Sequence, residues 1–264
     1  MARQYIDPMP KTTAAARATP ALAGWLRLHA RPWPWPALCP VCASWSSASL
    51  CGACVRRFHR STLRCQRCAR HLPAGLTVCG DCLQHPPPFE RAVAAFDYAF
   101  PWDRLIADFK FRQRVELARA LSQRLLATLV GEGGQGDDDP RSIDLVTAVP
   151  LSASRLRERG YNQSWEIARR LAPGLGLPAR HDTLLRWRDT AHQIVLDRPQ
   201  RAANLRGAFM PALGARARIS GRRIALVDDV MTTGATAAEA SLALLEAGAA
   251  SVHVWLLART EQPA

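Results

Sequence analysis

Four C-x-x-C pairs, Cys39/Cys42, Cys51/Cys54, Cys65/Cys68 and Cys79/Cys82, dictate what residues 37–85 can become. The pairs are separated by eight, ten and ten residues, so 39–54 and 65–82 read as one unit repeated. A C-x-x-C presents two sulfurs from a tight knuckle to one metal ion, and two knuckles complete a tetrahedral shell of four thiolates. The spacing fits Zn2+, and the segment reads as a double zinc ribbon with two closed, structural sites. Four identical short spacings suit disulfides poorly, above all in a cytoplasmic chain. A redox role would need one such pair, not four. The repeat favours sequential pairing, first with second and third with fourth; a crossed scheme, first with third and second with fourth, uses the same ligands. His59, His71 and His85 lie nearby, but eight thiols already fill two sites, so these histidines are expected at the surface.

Hydrophobic residues make up 48 % of the 264 positions, enough for a buried core and too many for a disordered tail. No run approaches the ~18 consecutive apolar residues that a membrane span needs. Residues 1–30 are rich in alanine and arginine without the continuous apolar stretch of a secretory signal, so a cytoplasmic protein without membrane insertion is expected. The formal charge of +13 invites a nucleic-acid partner. Of the 35 lysines and arginines, however, only Lys11 and Lys110 are lysine, which marks a chain-wide arginine bias as much as a patch. Residues 1–86 carry ten arginines and Lys11 against Asp7 and Asp81, an excess that thiolate-bound zinc would reduce.

The chain reads in three parts. Residues 1–36 lack periodicity and end in Arg31-Pro-Trp-Pro-Trp-Pro36, which the prolines hold extended. Residues 37–85 are the cysteine module, and His85-Pro-Pro-Pro88 is a stiff linker. Residues 89–262 alternate strands and helices. Arg91–Tyr98, Asp144–Val149, Ile224–Val227 and Val252–Leu257 read as strands. Glu116–Val130 is a helix with Leu117, Leu121, Leu125 and Leu129 on one stripe, and Gln163–Leu171 a helix facing inward through Trp165, Ala168 and Leu171. Ala237–Ala247 is a helix with Ala238, Leu242 and Leu245 on one face and Gly248 as its stop. Gly131–Ser142 is a mobile loop. Strand–helix alternation predicts an α/β fold, a mostly parallel sheet flanked by helices.

The strongest chemical signal is Ile224-Ala-Leu-Val-Asp-Asp-Val-Met-Thr-Thr-Gly-Ala-Thr236. An apolar strand runs into two acids, then a small-residue turn, then a helix. At the carboxyl end of a parallel strand, the turn amides and the helix N-terminus converge into an anion cradle, with the hydroxyls of Thr232, Thr233 and Thr236 beside it. Gly234 allows close approach of backbone to phosphate. Asp228 and Asp229 would be repelled by phosphate, so their use is to accept hydrogen bonds from vicinal hydroxyls or to order hydrated Mg2+. A ribose 5-phosphate satisfies both halves of the motif. A second segment, Val149-Pro-Leu-Ser-Ala-Ser-Arg155 to Arg159-Gly-Tyr-Asn-Gln163, follows another strand. Arg155, Arg157 and Arg159 in a turn with Gly160 and Asn162 suit a diphosphate, and a solvated basic helix end is the plainer alternative. The stretch Thr190 to Phe209 lacks periodicity and reads as a long polar loop. Lys110, a lysine in an arginine-biased chain, marks either a position needing a compact ammonium or a surface cation on an amphipathic helix.

Ile224–Thr236 resembles the 5-phosphoribosyl 1-diphosphate (PRPP) signature of type I phosphoribosyltransferases. The cysteine pairs, the Lys110 neighbourhood, Arg159-Gly-Tyr-Asn-Gln163, the Thr190–Phe209 stretch and this signature occur in an order similar to that of the ComF family, over residues 37–260. The resemblance implies a type I phosphoribosyltransferase-like domain preceded by a double zinc ribbon. It implies that Asp228 and Asp229 hold ribose hydroxyls, and that Met231, Thr232, Thr233, Gly234, Ala235 and Thr236 hold the 5′-phosphate. Arg155, Arg159, Gly160, Asn162 and Lys110 would serve the diphosphate with Mg2+, and Thr190, Gln193, Arg198, Arg201 and Asn204 would belong to a lid over PRPP. A role in DNA uptake during natural transformation is implied as well. Residues 1–36 depart from the compact family pattern, and Met9 is an alternative start.

Two functions compete, beside a plainer reading in which the ribbons are a structural cap over the acceptor side of the sheet. One is an enzyme that displaces diphosphate from PRPP with an acceptor; the sequence names neither a general base nor the acceptor. The other is a non-catalytic module binding PRPP, a nucleotide or single-stranded DNA beside a competence helicase of the ComFA type. Trp25, Trp33, Trp35 and Trp45 suit stacking on bases, though packing the ribbon onto the main domain is the favoured use. Homo-oligomerisation is left open.

Overall fold

The computed structural model describes residues 36–59, 62–131, 139–188 and 205–261. The chain divides after Pro36, and the portion from Ala37 onward forms one unit.

That unit begins with two cysteine-bearing halves built alike. The first holds β1 (Ala37–Leu38) and β2 (Trp45–Ser46), an antiparallel pair, then α1 (Gly52–Phe58). The second holds an antiparallel bridge between Arg64 and His71, then α2 (Gly80–Gln84). In both, the residue after the first C-x-x-C, Ala43 or Ala69, takes a positive φ of 57° or 56°. Its amide donates to the carbonyl of the first cysteine at 2.8 Å in each half. The sequence repeat is therefore a repeat of backbone conformation.

The remainder is α/β. The elements are β3 (Arg91–Asp97), α3 (Trp102–Phe111), α4 (Leu117–Gly131), a 3-10 turn (Pro140–Ser142), β4 (Leu145–Ala148), α5 (Ala153–Arg159), α6 (Gln163–Leu175), β5 (Leu184–Arg186), β6 (Phe209–Pro211), α7 (Arg216–Ile219), β7 (Arg223–Met231), α8 (Ala235–Glu246) and β8 (Ser251–Arg259). Strands β3, β8, β7 and β4, in that order, form a sheet in which every pairing is parallel. The central strands are apolar on both faces, as a doubly covered parallel sheet requires. Ala225, Val227, Trp255 and Leu257 face one layer with Leu121, Leu125, Ile167 and Leu171 of α4 and α6. Ile224, Leu226, Val254 and Leu256 face the other, where Ala237, Ala240 and Leu244 of α8 pack. The expected parallel sheet flanked by helices is what the chain forms.

Several local expectations change. In α8 the buried face is Ala237, Ala240, Ser241 and Leu244, while Leu242 is 40 % exposed. The small side chains let the helix lie close to the sheet; Ala238 and Leu245 of the expected face pack against the same core, and Leu242 turns outward. Phe209, placed in a polar loop, opens β6, which pairs antiparallel with β5. The expected loop Gly131–Ser142 contains the 3-10 turn Pro140–Ser142, and its residues 132–138 lie outside the described ones. The expected lid residues Thr190, Gln193, Arg198, Arg201 and Asn204 also lie outside the described residues, as do Trp25, Trp33 and Trp35. Trp45, expected to pack the ribbon onto the main domain, is 72 % exposed. The buried aromatic joining the first cysteine half to the α/β layer is Trp102, whose Nε1–H donates to the Phe58 carbonyl at 3.2 Å and whose ring stacks on Phe96.

Candidate functional site

The eight thiols gather into two groups, Cys39/Cys42/Cys51/Cys54 and Cys65/Cys68/Cys79/Cys82, each with its four sulfurs within 4.8 Å of one another. Sequential pairing is what the fold provides. Only the first pair of each group sits in a knuckle. The second pair lies at the start of a helix, with Cys51 and Cys79 as the N-caps of α1 and α2. Helix amides therefore face the sulfurs: Cys54 N–H donates to Cys51 Sγ at 3.4 Å, and Cys79 N–H to Cys65 Sγ at 3.3 Å. The sulfurs of Cys42 and Cys51, and those of Cys68 and Cys79, are 3.6 Å apart. A tetrahedral shell with metal–sulfur bonds of about 2.3 Å has edges of about 3.8 Å, so the donor set fits a metal ion. The charges agree. Burial and the neighbouring sulfurs push the Cys54 thiol well up, whereas hydrogen bonds from Ser44 hold Cys42 down at about 6. Four thiolates cannot coexist there without a cation.

At the carboxyl end of β7, the strand continues through both acids. The sequence reading ended it at Val227; pairing of Asp228 with Leu256 and of Met231 with Arg259 carries it to Met231. The reason lies in β8, which supplies partners over its whole length. Only Thr232, Thr233 and Gly234 form the turn. Gly234 has φ 87° and caps α8, so Ala235 and Thr236 stand in the first helical turn. Ala235 N–H donates to Thr233 Oγ1 at 3.4 Å.

Two other elements converge on the acids. Lys110, in the last turn of α3, places Nζ 2.8 Å from Asp229 Oδ1, and both side chains are largely buried. The alternative of a surface cation is thereby removed for Lys110. Ser164, in the first turn of α6, donates to Asp228 Oδ1 at 3.0 Å, and Asp229 N–H donates to the same oxygen at 2.9 Å. Lost hydration, then repulsion from Asp229, push the Asp228 carboxyl up to about 7 against the opposing pull of Asp229 N–H, Lys110 and Ser164. Asp228 nonetheless keeps part of its surface open, while Asp229 is buried.

The Arg-Gly-Tyr-Asn-Gln segment acts largely as a bracket. Asn162 caps α6, accepting from Trp165 N–H at 3.1 Å while its Nδ2 donates to the Val149 carbonyl at 3.0 Å. Tyr161 OH donates to the Phe109 carbonyl, and Gln163 Nε2 to the Lys110 carbonyl at 3.4 Å. Together they hold the end of α3, and hence Lys110, against β4 and α6. Arg155, Arg157 and Arg159 were read as lying in a turn; they lie on α5, and Gly160, with φ 78°, is its left-handed C-cap. Arg159 donates to Gln163 Oε1 at 3.1 Å and lies over the Phe111 ring at 5.1 Å. Arg155 is partly exposed on α5.

The sequence reading missed two residues. Ser164 stands one place past the quoted motif and is betrayed only by its position in the first turn of a helix beside the acids. Arg259 ends the apolar run Val254–Ala258 of β8 and is 3 % exposed, a charge that must have partners inside. A cavity of about 440 Å³ lies between the second cysteine group and the turn, lined among others by Cys68, Arg70, Met231, Thr233, Gly234 and Arg259.

No family model matches the chain. DNA utilization protein YhgH of Salmonella typhi is 38 % identical over 231 residues, covering 85 % of this chain and 98 % of that one. The Escherichia coli K12 protein of the same name is 37 % identical over 228 residues, with the same coverage. Competence protein F of Haemophilus influenzae is 33 % identical over 210 residues, covering 80 % and 90 %. The chain belongs to the ComF family to which these relatives belong. Among solved structures, a glutamine PRPP amidotransferase from B. subtilis complexed with ADP and GMP is similar at 21 % identity and a TM-score of 0.37, over 57 % of this chain and 30 % of that one. Among the described residues, no helix is long and apolar enough to cross a membrane.

Proposed function

We propose that the chain binds PRPP with Mg2+ at the carboxyl end of β7 and serves DNA utilisation, as the names of its relatives suggest. The observation that carries this reading is the convergence of Lys110 and Ser164 on Asp229 and Asp228, directly before a glycine-capped helix start. Asp228 and Asp229 accept from the ribose hydroxyls. The amides from Thr232 to Thr236 and the threonine hydroxyls hold the 5′-phosphate. Arg155, Arg159 and Lys110 face the diphosphate, and Lys110, already on Asp229, balances the acid pair as the ligand enters. The open carboxylate of Asp228 would hold hydrated Mg2+, which would supply charge neutralisation for the diphosphate. In the transfer we propose, an acceptor lone pair forms a bond to the ribose C1, the C1–O bond breaks, diphosphate leaves with that electron pair, and the acceptor proton passes to solvent. Positioning and charge neutralisation supply the catalysis. The two four-cysteine groups hold Zn2+ as structural sites. Residues 37–85 and 89–262 serve as ribbon and catalytic domain, and the loop through Thr190, Gln193, Arg198, Arg201 and Asn204 as lid.

Calorimetric titration of the full chain with PRPP and Mg2+ tests the reading. Binding that Asp228→Ala abolishes is expected; equal binding by wild type and variant would remove the sugar-phosphate site. A second reading, single-stranded DNA binding beside a helicase, is favoured by the exposed ring of Trp45 close to Arg56 and Arg57 in sequence. DNA binding that Trp45→Ala weakens while Asp228→Ala leaves it intact would support that second reading.

A further inference from the structure

Arg259 joins two parts of the molecule that nothing in the sequence connects. Its guanidinium, buried at the end of β8, donates through Nη1 to the carbonyls of Met231 and Thr260 at 2.9 Å each, and to that of Thr232. Through Nε it donates to the carbonyl of Cys68 at 3.0 Å. Met231 ends β7, Thr232 opens the turn before α8, and Cys68 belongs to the knuckle of the second cysteine group. The planar fork of an arginine can serve carbonyls on two sides at fixed geometry, which a lysine cannot. The first cysteine group is placed differently. It packs with Leu50 and Trp102 in the layer beneath α4 and α6, on the opposite face of the sheet from α8.

We infer that Arg259 is a positioning residue that fixes the Thr232–Gly234 turn, and the strand end at Met231 before it, to the second cysteine group, so that metal occupancy of that group, and not of the first, sets the rigidity of the turn and its affinity for phosphate. The affinity half of this inference rests on the sugar-phosphate reading; the rigidity half does not. With the metal bound, the Cys65–Cys68 knuckle holds its carbonyl in place, and Arg259 passes that constraint to the carbonyls of Met231 and Thr232. Without it the knuckle loses two of its anchors and the fork has one fixed side. The donors of the turn are backbone amides, so their aim depends on the peptide planes whose carbonyls Arg259 grips.

The test uses amide hydrogen exchange on the full zinc-loaded chain, with no ligand, at Thr232 to Thr236. Arg259→Lys, Arg259→Met and Cys82→Ser (second group) are compared with Cys42→Ser (first group), each with its zinc content measured. The first three are expected to speed exchange at the turn by about tenfold or more, the effect of losing one or two charged hydrogen bonds, and Cys42→Ser to change it by less than about twofold. Affinity for PRPP, measured on the same proteins, is expected to fall in the same order. Equal acceleration by Cys42→Ser and Cys82→Ser overturns the inference. So does acceleration spread evenly over β3, β7 and β8, which would mark Arg259 as merely structural. Wild-type protein that binds no PRPP, while the exchange pattern holds, would sink the sugar-phosphate reading and leave the strut standing.

Discussion

Asp228→Asn is expected to stabilise the fold at neutral and alkaline pH while removing sugar-phosphate binding. The Asp228 carboxyl rises from 3.8 to about 7 in the folded chain, first through lost hydration and then through the charge of Asp229. At about 1.4 kcal/mol per pH unit this costs the ionised fold up to about 4 kcal/mol, and about 2–4 once the open part of the side chain is allowed its screening. Because the folded value lies above the unfolded one, the contribution favours folding fully below pH 3.8 and is lost as pH climbs to about 7. Asparagine carries no such loss, and its Oδ1 still accepts from Ser164 and from Asp229 N–H. The advantage of the variant should therefore grow by about 2 kcal/mol between pH 5.5 and 8, and stay level above that. Urea unfolding of both proteins at several pH values measures it, and cysteine titration cancels in the difference. Equal or lower stability of the variant at pH 8 would refute the argument.

Lys110→Met removes the ammonium from a largely buried pair and leaves Asp229 without it. Breaking such a pair costs about 3–5 kcal/mol, which thermal unfolding will show, and PRPP affinity should fall at least about tenfold in a variant still folded at 10 °C. Gly234→Val forces a β-branched residue to φ 87° with the Met231 sulfur 3.6 Å from the new Cβ, so a loss of about 1–3 kcal/mol and loss of phosphate affinity are expected by unfolding and titration. Metal analysis of reduced protein should give two Zn2+ per chain, matching the two four-cysteine groups, and chelation should lower the melting temperature; full stability in the metal-free chain would count against the structural role.

Much of this was legible because the sequence signals were local. The C-x-x-C spacing, the leucine stripe of α4 and the continuous apolar runs of β7 and β8 each report on contacts within a few residues or on burial of both faces. What misled was also physical. The acids looked like the end of β7, since charged residues seldom sit in a central strand, yet β8 offers backbone partners as far as Arg259. The basic run from Arg155 to Arg159 looked like an anion loop but forms a helix closed by Gly160, with Arg159 turned to Gln163 and Phe111. Ser164 and Arg259 acquire meaning only when α6 and β8 bring them to one end of the sheet, and Lys110, marked out in sequence as a rare lysine, gains its partner Asp229 the same way, a long-range fact that no spacing encodes.

Placing Asp228 and Asp229 inside a strand rather than in a loop has an energetic consequence for the site. Sheet pairing fixes their backbone, so the two carboxylates cannot relax apart, and Lys110 neutralises only the second. Asp228 loses hydration and then meets the charge of Asp229, and the pull of Asp229 N–H, Lys110 and Ser164 does not offset the two, so its proton affinity rises. A ligand that brings hydroxyl donors or a hydrated cation to Asp228 must first displace a proton below about pH 7. PRPP affinity should thus strengthen as pH rises to about 7 and release a fraction of a proton near pH 6.5, measurable by calorimetry in buffers of different ionisation enthalpy. The 5′-phosphate of the ligand titrates near the same pH, with a second pKa of about 6. Ser164→Ala separates the two, because it removes one donor from Asp228 and should move the proton-release midpoint upward while the phosphate contribution stays fixed. An unmoved midpoint would mean that the ligand, not the strand-borne acid, sets the pH dependence.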